Sequence, residues 1–179
     1  ARAGIPLPAP GVLNRIDSSP VPDPAKRKPA FRNMYQSILT ICIGNICRSP
    51  MAEGLLKAHA QAAGKDARIE SAGIAAVINA PADPIAVDLM ARRGIDIGAH
   101  RGRQVTFDIL RGFDLILVMT ERQRTHLEQL APVVKGRVFT LGHWGQFEVA
   151  DPYGQPVEVF EHALERIEEG VDAWKRYLS

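Results

Sequence analysis

The sequence predicts an α/β fold, a single domain in which a four-stranded parallel sheet carries helices on both faces. Short apolar runs rich in β-branched residues alternate along the chain with segments of helical spacing. Strands that are buried on both faces have such continuous apolar sequences. Alternating strands and helices are typical of βαβ units, whose strands are parallel. The length of 179 residues suits one domain with a core and is short for two.

The strands are predicted from apolar runs, of which the first is the most strongly β-branched. It ends in Cys42 and Ile43, next to a glycine that starts a loop. The predicted strands cover residues 37–43, 68–72, 113–119 and 137–141.

Helices are predicted between these strands, at residues 51–63, 83–93 and 121–130. Pro50 and Pro84 suit a first helical turn, and Gly64 and Gly94 suit the position after a last turn. Thr120 followed by Gln123 has the spacing of a capping box, in which each side chain bonds the other residue's backbone N–H.

The last predicted helix has the clearest pattern. Its apolar residues recur at helical spacing, while its glutamates lie largely off that stripe. We therefore expect the stripe to face the core rather than a partner or a membrane. The apolar residues are Val157, Phe160, Leu164, Ile167, Val171, Trp174 and Leu178.

The first 33 residues differ in composition from the rest. Prolines are dense there without any hydrophobic periodicity, and a short basic cluster occupies residues 26–28. Such a composition argues against a packed element. The sequence therefore predicts an extended or disordered leader at 1–33 and a folded domain at 34–179.

Composition excludes several functional classes. The formal net charge of +2 does not favour nucleic-acid binding. The two cysteines, Cys42 and Cys47, are too few and too close together for a disulfide framework. No apolar run is long enough for a membrane span, and no signal peptide is recognisable. We expect a cytoplasmic protein without membrane insertion, metal or cofactor, since no Cys, His and carboxylate cluster has metal-ligand spacing.

An anion-binding loop is predicted where the first strand leads into the first helix. Cys42 lies at the strand end and Arg48 lies six positions later, at the helix start. Backbone N–H groups and the positive end of a helix favour an anion there, and they favour the thiolate of Cys42. Arg48 can bind two oxygens of one oxyanion with its planar guanidinium.

The other loop residues fit the same interpretation. Gly44 and Asn45 tolerate unusual backbone angles, and Ser49 can donate its hydroxyl to the sulfur. Ile43, Ile46 and Cys47 complete the loop. A lone cysteine is more often an inert core residue, but the strand, the Cys-x5-Arg-Ser spacing, the proline and the helix together favour a nucleophile.

The residues 41–53, Ile-Cys-Ile-Gly-Asn-Ile-Cys-Arg-Ser-Pro-Met-Ala-Glu, resemble the signature of the low-molecular-weight protein-tyrosine phosphatases. Further matches follow in family order at 71–73, His100, 103–104, 113–117 and 151–153, so that the resemblance covers nearly all of residues 34–178. It implies a phosphotyrosine phosphatase I-like fold. The stretch 141–144 followed by 151–153 is most similar to bacterial members that act on tyrosine autokinases of exopolysaccharide synthesis.

The resemblance also implies roles for residues outside the loop. Asp151 matches the family's general acid, although an Asp-Pro-Tyr-Gly sequence is by itself an ordinary turn. Tyr153 would line the pocket mouth. Ser71 and His100, with Asn45 and Ser49, match positions whose hydrogen bonds hold the loop. The implied partner is a phosphotyrosine protein, namely a bacterial tyrosine autokinase.

The sequence departs from many relatives in one place, since residues 74–81, expected in the pocket wall, contain no aromatic ring.

Two other functions stay open. An arsenate reductase would use the same loop but needs further cysteines to resolve its intermediate, and none follows Cys47. A phosphopeptide-binding module without catalysis would need neither the thiol nor the acid. Cys47 either packs under the loop or forms a reversible disulfide with Cys42 on oxidation.

Overall fold

The computed structural model describes residues 35–177, so the predicted leader at 1–33 and Leu178 lie outside the described residues. Four parallel strands form one sheet in the order β2-β1-β3-β4. This confirms the predicted fold class, although β1, β3 and β4 are each shorter at their ends than the sequence predicts. The strands are β1 (Ser37–Cys42), β2 (Arg68–Gly73), β3 (Leu115–Val118) and β4 (Val138–Thr140).

Five α-helices accompany the sheet within the described residues, and two 3-10 turns follow the last two of them. The helices are α1 (Arg48–Ala62), α2 (Pro84–Ala91), α3 (Phe107–Arg111), α4 (Glu121–Leu130) and α5 (Val157–Trp174), and the turns are Pro132–Val134 and Lys175–Tyr177. The sequence did not predict α3, since five residues are too few to show helical periodicity. Thr106 caps α3 by accepting a hydrogen bond from the N–H of Ile109.

Alternate residues of the central strands face opposite layers of helices. In β1, Ile38 and Cys42 belong to the core packed with α1, α2 and α5, whereas Leu39 and Ile41 belong to the core packed with α3 and α4. The strands are therefore buried on both sides, which explains their continuous apolar sequences.

The helix boundaries largely follow the predicted capping signals. Asp83 caps α2, since its Oδ1 accepts a hydrogen bond from the N–H of Ile85 at 2.9 Å. Only one of the two hydrogen bonds of the capping box predicted at α4 is present. Thr120 Oγ1 accepts from the Gln123 N–H, but Gln123 Oε1 accepts from the N–H of Met119 at 2.9 Å instead of that of Thr120. Gln123 is buried against the end of β3, where the Met119 N–H needs a partner.

In α5 the predicted stripe is buried from Phe160 to Trp174, whereas its first residue, Val157, is exposed. Gly170 lets the helix approach the end of β4, since a Cβ there would lie 2.9 Å from the carbonyl oxygen of Leu141. Trp174 ends the helix and donates its indole N–H to the same carbonyl at 2.9 Å. No helix within residues 35–177 is long and apolar enough to cross a membrane.

The strand order places a topological switch point at β1. The chain moves from β1 to β2 on one side and then to β3 on the other, so that the connections diverge at the carboxyl ends of β1 and β3. Ligands of open α/β sheets bind at such a point. The loop after β4 reaches it as well, because the N–H of Val149 donates to the carbonyl of Met119 at 3.0 Å.

Candidate active site

The loop between β1 and α1 curls around the sulfur of Cys42. Cys42 is the last residue of β1 and Arg48 is the first of α1. Asn45 turns the chain between them with a left-handed backbone (φ 56°), which asparagine adopts more readily than other non-glycine residues. As a result, the N–H of Asn45 donates to Cys42 Sγ at 3.2 Å.

A second donor also faces this sulfur. The hydroxyl of Ser49 lies 3.0 Å from Cys42 Sγ, and the amide Nδ2 of Asn45 donates to Ser49 Oγ at 2.9 Å. Because Ser49 Oγ already accepts that hydrogen, its own hydrogen is free to point at the sulfur. Two donors aimed at one sulfur stabilise a negative charge on it.

Asn45 connects the loop to two other segments. It is fully buried, its Nδ2 also donates to Ser71 Oγ at 2.9 Å, and its Oδ1 accepts from the Arg103 N–H at 2.9 Å. His100 Nε2 lies 2.6 Å from the Asn45 carbonyl oxygen. A carbonyl can only accept, so this nitrogen of His100 carries the hydrogen. Every polar group of Asn45 is thus engaged.

Arg103 supports this arrangement from outside. Its Nε donates to the Ser71 carbonyl at 2.7 Å, and its Nη2 lies 2.5 Å from Glu70 Oε2. The hydrogen bond from Arg68, together with the contacts of Arg103, lowers the pKa of the Glu70 carboxyl against an opposing effect of burial. Glu70 therefore stays ionised and keeps Arg103 in place.

Arg48 and Asp151 meet on the open side of the loop. The guanidinium of Arg48 is buried, donates through Nη1 to the carbonyl of Val149 at 3.0 Å, and pairs through Nη2 with Asp151 Oδ2. Asp151 itself is half exposed, and its Oδ1 accepts from the Tyr153 N–H at 3.3 Å. The Nε of Arg48 is buried and has no hydrogen-bond partner among the described residues. A buried donor of this kind calls for an acceptor from a ligand.

These groups line one pocket of about 210 Å³. One wall is aliphatic, formed by Ala75 and Val77, and the exposed ring of Tyr153 is at the mouth. Gln104 shapes the aliphatic wall, because its amide donates to the carbonyl of Ile74 and accepts from the N–H of Ala76. Among residues 35–177, the only ring lining the pocket is that of Tyr153, in keeping with the lack of aromatic residues at 74–81.

A family model described as low molecular weight phosphotyrosine protein phosphatase matches residues 37–179. The chain belongs to this family. It is therefore a protein-tyrosine phosphatase, as the resemblance of its loop predicted.

Three relatives illustrate the similarity. The phosphatase is 48% identical over 141 residues to the probable low molecular weight protein-tyrosine-phosphatase EpsP of Ralstonia nicotianae, covering 79% of this chain and 94% of that protein. The solved structure of Vibrio vulnificus Wzb in complex with benzylphosphonate is 37% identical with a TM-score of 0.75, covering 80% of this chain and 99% of that one.

The third relative is the YwlE arginine phosphatase, solved as a Cys-to-Ser mutant with a phosphorylated active-site serine. It is 29% identical with a TM-score of 0.73, covering 78% of this chain and 93% of that one. These comparisons confirm the predicted family, its bacterial exopolysaccharide-associated type and the predicted fold.

The structure brings the predicted site residues together in two layers. The upper layer lines the pocket and comprises Cys42, Ile43, Gly44, Ile46, Cys47, Arg48, Asp151 and Tyr153. The lower layer is the hydrogen-bonded support formed by Asn45, Ser49, Ser71 and His100. No group of three or more His, Cys, Asp or Glu side chains within residues 35–177 could hold a metal ion.

Sequence reasoning missed three contributors to the site. The carbonyl of Val149 orients Arg48, the backbone of Arg103 holds Asn45, and the amide of Gln104 shapes the pocket wall. The contacts of a backbone carbonyl or N–H group cannot be inferred from the residue type. Arg103 and Gln104 belonged to the family resemblance, but nothing in their spacing indicated which groups they contact.

Cys47 differs from Cys42 in its surroundings. Burial, and then the negative charge of Asp83, raises the pKa of the Cys47 thiol to about 12. Cys47 is therefore a neutral thiol at physiological pH, whereas the sulfur of Cys42 faces two donors. Both cysteines are free thiols in the structure, and their oxidation to a disulfide stays a prediction.

Replacing Asn45 by alanine should strongly destabilise the phosphatase. The variant loses the side-chain bonds to Ser49, Ser71 and Arg103 and leaves these buried partners unsatisfied, so we expect a loss of about 3–5 kcal/mol in the free energy of unfolding. Urea denaturation followed by circular dichroism measures it.

Asn79→Ala is the matched control. Asn79 also has a left-handed backbone (φ 62°), but its side chain is exposed. Its replacement costs the backbone strain alone, about 1 kcal/mol. Equal losses in the two variants would show that the backbone angle, and not the buried network, is what Asn45 supplies.

Proposed function

We propose that the phosphatase hydrolyses phosphotyrosine through a cysteinyl-phosphate formed on Cys42. One observation carries this proposal. The sulfur of Cys42, supported by two hydrogen-bond donors, shares a single pocket with the guanidinium of Arg48 and the carboxyl group of Asp151. A nucleophile, an oxyanion-binding cation and a proton carrier are the three groups that this reaction requires.

In the first step the thiolate of Cys42 attacks phosphorus while the bond to the tyrosine oxygen breaks. The phosphoryl group moves to sulfur, and the departing oxygen takes a proton from Asp151, whose carboxyl group is protonated once the phosphate of the substrate has replaced it as the partner of Arg48. A phenolate is a poor leaving group without this proton. The exposed position of Asp151 at the pocket mouth suits a group that meets the ester oxygen of an incoming side chain.

In the second step water attacks the phosphorus of the cysteinyl-phosphate. Asp151, now a carboxylate, takes a proton from the water, and the thiolate of Cys42 leaves. The products are tyrosine and inorganic phosphate. The hydroxyl of Ser49 supports the sulfur as it regains its negative charge, at the 3.0 Å distance that the structure gives.

Arg48 is proposed to bind the phosphoryl oxygens in both steps. Its Nε is the buried donor without a partner among the described residues, and its Nη1 is held by the Val149 carbonyl. The guanidinium therefore lies in a fixed orientation before a phosphate arrives. Fixed donors cost little reorganisation as charge develops during the reaction.

Two of the solved relatives support this assignment. Wzb of Vibrio vulnificus binds benzylphosphonate, a benzyl group joined to a phosphorus oxyanion, and such a ligand has the shape of a phosphotyrosine side chain. The YwlE mutant carries phosphate on an active-site serine that replaces cysteine. A phosphorylated residue of that kind matches the intermediate proposed for Cys42.

The proposed substrate is a phosphotyrosine protein, and more specifically a bacterial tyrosine kinase of exopolysaccharide synthesis. The similarity to EpsP and Wzb supports this choice. The proposed compartment is the cytoplasm, since a thiolate nucleophile must stay reduced. Arsenate reduction is less well supported, because the sequence has no cysteine after Cys47 that could resolve a thiol intermediate.

The Cys42→Ser variant should lose turnover of p-nitrophenyl phosphate by at least about a thousandfold, because a serine hydroxyl is a far weaker nucleophile than a thiolate. We expect it to keep its affinity for inorganic phosphate, measured by calorimetry, since Arg48 is unchanged. The wild type quenched in acid during turnover should carry one phosphoryl group on the Cys42 peptide by mass spectrometry. Turnover at the wild-type rate in Cys42→Ser would exclude the mechanism.

The Asp151→Asn variant tests the proton donor. Asparagine keeps one oxygen that can accept from Arg48 or from the Tyr153 N–H, and it has no acidic proton to give. We expect kcat/KM, which reports the steps up to the first phosphoryl transfer, to fall about 10²–10³-fold for phenyl phosphates with poor leaving groups and much less for esters of acidic phenols. Stopped-flow measurements over a series of substituted phenyl phosphates give this dependence. The same reduction for every ester would contradict the assignment of Asp151.

The kinase substrate is tested by trapping. Immobilised Asp151→Ala protein, incubated with a lysate of the cells that produce it, should retain a tyrosine kinase that carries phosphotyrosine, and excess inorganic phosphate should release it. The purified, autophosphorylated kinase should then lose its phosphotyrosine to the wild-type enzyme, as followed by immunoblotting. Retention of proteins without phosphotyrosine, or a kinase that stays phosphorylated, would refute this choice of substrate.

A further inference from the structure

A second groove, of about 470 Å³, adjoins the catalytic pocket. Three residues line both, namely Ile43, Arg48 and Asp151. The remaining wall comes largely from the start of α4, where Arg122 and His126 line the groove. A peptide whose phosphotyrosine enters the catalytic pocket can therefore place a neighbouring residue in this groove.

Arg122 is the distinctive group of the groove. It is exposed in the first turn of α4 and makes no hydrogen bond or ion pair with another residue of the part of the chain that is described. Arg124 on the same helix, by contrast, is paired with Glu121 and Glu128. His126 lies four residues after Arg122, and residues four apart lie on the same face of a helix.

None of the described carboxylates near the groove pairs with Arg122. Asp151, the carboxylate that lines the groove, is paired with Arg48. Glu121 and Glu148 lie beside the start of α4, but they line a different depression. Glu121 is paired with Arg124, and Glu148 accepts the Glu121 N–H at 2.7 Å. The positive charge of Arg122 therefore remains unmatched in the groove.

We propose that this groove is a substrate subsite for an anionic side chain within a few residues of the phosphotyrosine. The proposal rests on the phosphotyrosine activity proposed above. A guanidinium binds a carboxylate or a phosphate with two parallel hydrogen bonds, so the subsite accepts an acidic residue or a second phosphorylated residue. His126 adds a ring nitrogen on the same face. Both side chains are exposed, so the gain in affinity is moderate and sensitive to salt.

Three phosphotyrosine peptides test the subsite. They share one sequence and differ only at the flanking positions, which carry neutral residues, glutamates or a non-hydrolysable phosphonate analogue of phosphotyrosine. For the wild type we expect kcat/KM to be about three- to tenfold higher with an anionic flank than with the neutral one. This ratio should shrink in 0.5 M salt, where the Debye length is only about 4 Å.

Two variants of Arg122 test whether this residue causes the preference for anionic peptides. The ratio of anionic to neutral peptide should fall close to one in Arg122→Gln and below one in Arg122→Glu. A ratio taken within one variant is insensitive to a general loss of folded or active protein. Lys135→Gln is the matched control, because Lys135 is an exposed lysine just before the amino end of β4, whereas the groove lies at the carboxyl ends of the parallel strands. It should keep the wild-type ratio.

The outcomes separate this inference from the proposed function. Preference for both anionic peptides, or for the phosphonate peptide alone, together with its loss in Arg122→Gln, supports the subsite and identifies its ligand. Hydrolysis of all three peptides at one rate overturns the subsite and leaves the phosphatase mechanism intact. A preference that survives in Arg122→Gln also overturns it. Failure to hydrolyse any of the peptides refutes the proposed function itself.

Discussion

The active-site loop depends on a single buried asparagine in a left-handed conformation. Asn45 turns the backbone so that its own N–H meets the sulfur of Cys42, and its amide orients the hydroxyl of Ser49 toward the same sulfur. The same side chain binds Ser71, and the N–H of Arg103 donates to it. The end of β2 and the segment after α2 are thereby fixed to the loop. The shape of the anion site therefore depends on the hydrogen bonds of this one residue.

A network of this kind explains why the polar groups can be buried. Each donor of Asn45 has an acceptor and each acceptor has a donor, so the cost of removing them from water is offset. Arg103 and Glu70 extend the network to the surface, where their charges remain partly solvated. Hydrogen bonds therefore connect Arg103 through Asn45 to the sulfur of Cys42.

The fold could be predicted from the sequence because its signals are local and repeated. Continuous apolar strands, prolines in first turns and a long amphipathic last helix indicated the layers correctly. The five-residue α3 gave no periodic signal. Gln123 was assigned to the wrong backbone partner, because the spacing of a capping box does not reveal that the N–H of Met119 competes for the same oxygen.

The candidate site was predictable where chemistry resides in side chains close in sequence. Cys42 and Arg48 are joined by a short loop, so their side chains must lie close together. Asp151 lies more than a hundred positions from Arg48, and only the family resemblance indicated its role. The Val149 carbonyl and the unmatched charge of Arg122 could not be predicted. Each depends on which backbone or carboxyl groups lie near the arginine in the folded structure, and a local sequence pattern does not predict these neighbours.

The carboxylate of Asp151 occupies the guanidinium group that is proposed to bind the phosphate of the substrate. In the proposed mechanism an incoming anion competes for Nη2 of Arg48 with a carboxylate that belongs to the same protein, while the Val149 carbonyl keeps the guanidinium in place. Small monoanions gain little from such an exchange, because they replace one single charge by another. A phosphate ester with two charges and three free oxygens gains more, since it can also engage the unpartnered Nε. Under the proposed role of Arg48, the ion pair therefore favours a phosphate ester over chloride or a carboxylate as the occupant of the site.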